Sequence, residues 1–103
     1  MNWIEIIHVR PYSYQESDQA SIAFQQLSLF ERLYIYGLKD VRLFRSRTLE
    51  EDLIIMLTWH DEKQQNGKSL LGLQLAYAFS EFGQIYHTTW EDKFSLFDDG
   101  EER

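Results

Sequence analysis

The sequence predicts a small α+β domain: a β-α-β-β-α-β chain folded as a four-stranded antiparallel sheet with two helices on one face. Three observations lead there. Residues 52–60, Asp-Leu-Ile-Ile-Met-Leu-Thr-Trp-His, form a short apolar run of strand length. Residues 69–90 carry helical spacing, then a glycine at Gly83, then a β-branched and aromatic stretch ending at Trp90. Residues 3–10, Trp-Ile-Glu-Ile-Ile-His-Val-Arg, read as a further strand that Pro11 ends.

Each element has its own signal. Strand one is residues 3–10. Helix one is expected over 14–36, with Ser13 and Glu16 at the spacing of a capping box and Gly37 placed to adopt positive φ at its end. Ala20, Ala23, Phe24, Leu27, Phe30 and Tyr34 share one face of it and should lie on the sheet. Strand two, 40–46, carries charged side chains that suit a sheet edge. A turn at 48–51 leads into strand three, 52–60. Helix two spans 69–82 with Gly83 as its terminator, and Leu71, Leu75, Ala78 and Phe82 as its sheet-facing stripe. Strand four is 84–91. This order is the split βαβ, or ferredoxin-like, arrangement. One domain is expected over residues 1–91, followed by an acidic C-terminal tail, 92–103, disordered after Asp98.

The surfaces of these elements suggest a partner. Ile22, Leu29 and Tyr36 lie nearly opposite the sheet-facing stripe of helix one, and Leu70, Leu73 and Tyr77 cluster on a second side of helix two. Strand three is apolar on both faces: Leu53, Ile55, Leu57 and Trp59 on one, Ile54 and Met56 on the other. A strand apolar on both sides is buried on both sides. With two helices on one sheet face, the sheet of another copy is the simplest cover for the other, giving a dimeric α/β barrel. The tail segment Phe94-Ser-Leu-Phe97 is a second source of cover for the helices.

Composition narrows the function classes. A net charge of −7 opposes nucleic-acid binding through general phosphate attraction. Six acidic and two basic residues after Trp90 hold −4 of that charge, while five of the ten basic residues fall within 32–47. The absence of cysteine excludes disulfides, thiolate metal sites and cysteine nucleophiles. No apolar run approaches the roughly 18–20 residues of a membrane span, and the opening Met-Asn-Trp-Ile-Glu lacks the form of a secretory leader. A cytoplasmic, bacterial protein is expected.

Strand one, the 52–60 strand and the helix–glycine–strand unit 69–90, which ends Glu81-Phe-Gly-Gln-Ile-Tyr-His-Thr-Thr-Trp90, together resemble the dimeric α/β-barrel superfamily of antibiotic-biosynthesis-type monooxygenases and stress-responsive barrel proteins. The likeness covers roughly residues 3–91 in topology and pattern. It implies a ferredoxin-like protomer, homodimerisation through the sheets and a pocket between sheet and helices. Family members include cofactor-free oxygenases, haem-degrading enzymes and proteins of no known activity. The haem-degrading branch's Asn, Trp and His have no counterpart here, since Asn2 and Trp3 open the chain and His8 lies in strand one.

The residues that could carry chemistry are few. His8 and His87 are the catalytic candidates, because imidazole titrates near neutral pH; strand register decides whether they share a face. No histidines recur at ligand spacing, and His60-Asp61-Glu62 reads as a solvated strand end, so no metal is expected. Gly67-Lys68-Ser69 lacks the P-loop glycine five residues earlier, where Glu62 stands. No cofactor is expected. Phe44, Met56, Trp59, Tyr86 and Arg45 are the candidate ligand-binding residues, Trp3 and Trp90 adding to an aromatic lining. Arg42, Arg45, Arg47 and Lys39 either hold an anion or pair with Glu50, Glu51 and the acidic tail; pairing is the favoured expectation. Two functions follow. One is a homodimeric barrel that binds a small hydrophobic or aromatic molecule or acts as an interaction module. The other is a cofactor-free monooxygenase or isomerase. The expected partners are a second copy and a small ligand, with neither nucleic acid nor membrane.

Overall fold

The computed structural model describes residues 2–27, 35–49, 51–60 and 67–97. Its elements are β1 (Asn2–Pro11), α1 (Tyr14–Gln25), β2 (Leu38–Arg45), β3 (Leu53–His60), α2 (Leu70–Phe79) and β4 (Gly83–Glu91). The predicted β-α-β-β-α-β order is the observed one. The sheet runs β2-β3-β1-β4 with every pair antiparallel. β3 and β1 are the two inner strands, and β1 keeps continuous register on both sides, Ile7 opposite both Ile55 and His87.

Period-two alternation decides what each face buries. Ile7, Val9, Leu53, Ile55, Leu57 and Trp59 point to the helix side and are almost fully buried. Ala20 of α1 and Leu75 and Phe79 of α2 close over them, with Phe82 behind. Ala23 and Phe24 of α1, and Leu27 just beyond its end, pack beside this core as expected, while Ile22 points outward; Phe30, Tyr34 and Leu29 lie outside the described residues. Leu70, Leu73 and Tyr77 form the exposed second side of α2, as the spacing predicts. The tail segment does not cover them: Phe94, Leu96 and Phe97 are exposed, and residues 98–103, expected to be disordered, lie outside the described residues.

Several boundaries differ from the sequence reading. α1 ends at Gln25, with Gln26 as its C-cap, well short of residue 36. Gly37 does adopt positive φ, at 82°, in the turn that leads into β2. Residues 28–34 of the expected helix lie outside the described residues. The N-terminus of α1 is as predicted: Ser13 Oγ accepts from the Glu16 amide at 3.4 Å and its hydroxyl donates to the Glu16 carboxylate. β2 begins two residues early at Leu38, with an irregularity before Asp40.

α2 stops at Phe79; of the expected stripe Leu71, Leu75 and Phe82 pack in the core, with Gly72 and Phe79 buried beside them, while Ala78 is exposed. The expected stripe assumed a longer helix with a slightly different phase. Gly83 has no positive φ and terminates no helix; it is the first residue of β4. A Cβ there would overlap the Arg10 carbonyl, so close strand approach, not helix termination, requires glycine.

Candidate functional site

Two polar clusters sit on β1, one on each face of the sheet. The first is built around Glu5. Strand alternation puts Glu5 on the helix side, between Trp3 and Ile7, where it is 0% exposed. A buried carboxylate needs donors for both oxygens. Trp59 Nε1 donates to Oε1 at 2.9 Å, and the Ser69 hydroxyl donates to the same oxygen at 2.6 Å. The Ser69 amide donates to Oε2 at 2.9 Å, and His87 Nε2 lies 2.8 Å from that oxygen.

The sequence folds this way locally because Ser69 is the N-cap of α2. Its Oγ accepts from the Gly72 amide at 2.9 Å while its hydroxyl hydrogen goes to Glu5. The carboxylate therefore lies at the positive end of the helix, where orphan amides favour negative charge. Gly72 makes the approach feasible, since a Cβ there would overlap the Glu5 carboxylate. The Trp59 indole is fixed on its other side by stacking on Trp3, with ring centroids 5.4 Å apart at 12°. The cluster thus ties β1, β3, β4 and α2 together.

His87 turns Nε2 toward Glu5, which leaves Nδ1 on the far side of the ring. No described residue hydrogen-bonds Nδ1. The His87 side chain is only 6% exposed.

The second cluster lies at the other end of β1 and on the opposite face. His8 Nε2 is 2.8 Å from Asp52 Oδ2, and Arg10 Nε is 3.5 Å from the same oxygen. Asp52 is buried, while His8 is about one-third exposed and its ring tilts against Tyr86 at 5.8 Å.

The register answers the question left open by the histidines. His87 pairs with Ile7 and His8 with Tyr86, so the two imidazoles face opposite sides of the sheet. They form no joint site. The expected ligand residues divide the same way. Phe44, Met56 and Tyr86 lie on the face away from the helices, with Trp90; Trp59 and Arg45 lie on the helix side, Trp59 as core. Arg42 pairs with Asp40 at 3.2 Å, which is not one of the expected partners. Arg45 and Arg47 make no ion pair with any described residue, Glu51 included; Glu50 and the tail beyond Phe97 lie outside the described residues. Among the described residues no group of three or more His, Asp or Glu could hold a metal, and no helix is long and apolar enough to cross a membrane.

Glu5 escaped the sequence reading, although two signals pointed to it. It is the one charged residue on the Trp3–Ile7–Val9 face, and Gly72 interrupts a leucine-rich helix three residues after a serine cap.

No protein-family model and no curated protein sequence matches the chain. Solved structures do. SnoaB, a cofactor-independent oxygenase from Streptomyces nogalater, superposes in a variant form with a TM-score of 0.60 at 15% identity, over 94% of this chain and 98% of that one. The likeness is one of fold. A protein proposed to be an antibiotic biosynthesis monooxygenase from Bordetella bronchiseptica gives 0.57 at 20% identity, over 91% and 98% of the two chains. A conserved protein of unknown function from Bacteroides thetaiotaomicron, suggested to be an oxidoreductase, gives 0.55 at 19%, over 88% and 97%. The ferredoxin-like protomer implied by the sequence is therefore that of solved monooxygenase-like proteins of nearly the same length.

Proposed function

We propose that this chain works as a homodimeric α/β-barrel protein that closes its open sheet face on a second copy and binds a small apolar or aromatic molecule. One observation carries the reading: the sheet face away from the helices is apolar and aromatic. Ile6 and Met56 are paired neighbours at its centre. Phe44, Tyr86 and Trp90 around them are 42%, 49% and 57% exposed. An apolar face of this kind belongs against another sheet, where inner faces interdigitate about 10 Å apart. Sedimentation at low micromolar concentration should give a species of twice the 12.4 kDa chain mass. Met56→Glu should give folded monomers. A wild-type chain that sediments only at 12.4 kDa overturns the dimer. For the ligand, a thermal-shift screen over aromatic acids, quinones and haem is the direct test, since a molecule bound to the folded state raises its melting point. Silence across all three classes counts against the binding half.

A second reading is favoured by the His87–Glu5 pair. An imidazole oriented by a buried carboxylate, with its other nitrogen open, is the arrangement of a general base. In this reading the protein is a cofactor-free oxygenase or isomerase that takes a proton from a flat aromatic or polyketide-like substrate, and its likeness to SnoaB supports it. It ranks second because the His87 side chain is almost fully buried, only 6% exposed. Oxygen uptake with a reduced polycyclic phenol, abolished by His87→Gln in a folded protein, would raise it to first place.

A further inference from the structure

Two clefts among the described residues share Tyr14 at their rims. The larger, about 540 Å³, lies between the first turns of α1 and the end of β2; Tyr14, Ser17, Asp18, Arg45, Ser46 and Arg47 line it. That volume is in the range of small-molecule sites. Its hydroxyls are already engaged. Ser17 Oγ donates to the Glu51 carbonyl at 3.0 Å, and Ser46 Oγ accepts from the Thr48 and Leu49 amides at 3.1 and 2.8 Å. Arg45 and Arg47 make no ion pair with a described residue, whereas Arg10 meets Asp52 and Arg42 meets Asp40. Among the described lining residues Asp18 is the single carboxylate, so the two arginines leave that lining positive on a chain of net charge −7. A concave positive site on an acidic molecule concentrates anions against the field of the rest. Arginine's planar fork matches a carboxylate bidentately. Tyr14 supplies an aromatic ring at the rim.

We propose that this cleft binds a small aromatic carboxylate, its anion held by Arg45 and Arg47 and its ring against Tyr14. The site does not depend on the dimer. Arg45 pairs with Leu53 and so lies on the helix side, away from the open face. A phosphate would use the same forks, and the acidic tail of a second copy would compete for the same charge.

Calorimetric titration of the full chain separates these occupants. Benzoate is expected to bind saturably, more weakly as salt rises, and benzamide, its uncharged analogue, is not. The double variant Arg45→Ala, Arg47→Ala should lose about tenfold or more in benzoate affinity, since two charge-assisted contacts go. Its melting point should not change, because both side chains are exposed. Benzoate that fails to saturate, binds the double variant equally, or is matched by benzamide overturns the proposal. So does inorganic phosphate binding where benzoate does not. So, too, does a peptide of residues 91–103 that binds through these arginines while benzoate fails; that result gives the cleft to the tail.

Discussion

Glu5 shows how a single residue can hold several elements. Its carboxylate, itself fully buried, collects an indole, a hydroxyl, an amide and an imidazole within 2.6 to 2.9 Å. Glu5→Ala leaves them buried and unsatisfied, which should cost about 3–5 kcal/mol; urea unfolding measures it. Gly72→Ala is a sharper test, because two effects oppose. Helix propensity favours alanine by about 1 kcal/mol. Crowding Glu5, which has nowhere to withdraw, costs about 1–3 kcal/mol. The variant should be less stable than the parent, and a more stable one would mean that Glu5 is not seated against α2. The sequence marked Glu5 only as a charge on an apolar strand face. What it reaches was not legible, because its partners lie 54 to 82 residues away along the chain.

At the scale of elements, α2 is anchored at its start. Ser69 caps the helix and donates twice to Glu5. Ser69→Ala should cost about 1–2 kcal/mol, at the upper end for a cap because a buried acceptor also loses a donor. The serine cap itself was readable from sequence, as was Ser13 before α1, since capping depends on residues three apart. The ends of the helices were less so. Gly83 looked like a terminator, yet it serves a close strand contact. Gly83→Ala should destabilise strongly, because the obstructing atoms are Arg10 backbone and cannot swing aside; a melting curve decides it.

For the whole molecule, the open sheet face and the exposed side of α2 leave a single copy with much apolar surface. If two copies join, stability is tied to association, and the melting point should rise with protein concentration. A melting point constant over a hundredfold dilution series would oppose the dimer. Met56→Glu should remove any such dependence.

The sequence by itself determined the order of the elements and the buried side of β3, because the periods of strand and helix are local and survive without tertiary information. It also marked the arginine-rich span and the acidic tail. Only the tertiary structure decided that His8 and His87 face opposite ways, that Glu5 and not a pair of histidines gathers the polar core, and that Arg45 and Arg47 share a cleft with Tyr14. The physical reason is register: a shift of one residue in strand pairing reverses every side chain, and that register is set by contacts between segments far apart in the chain.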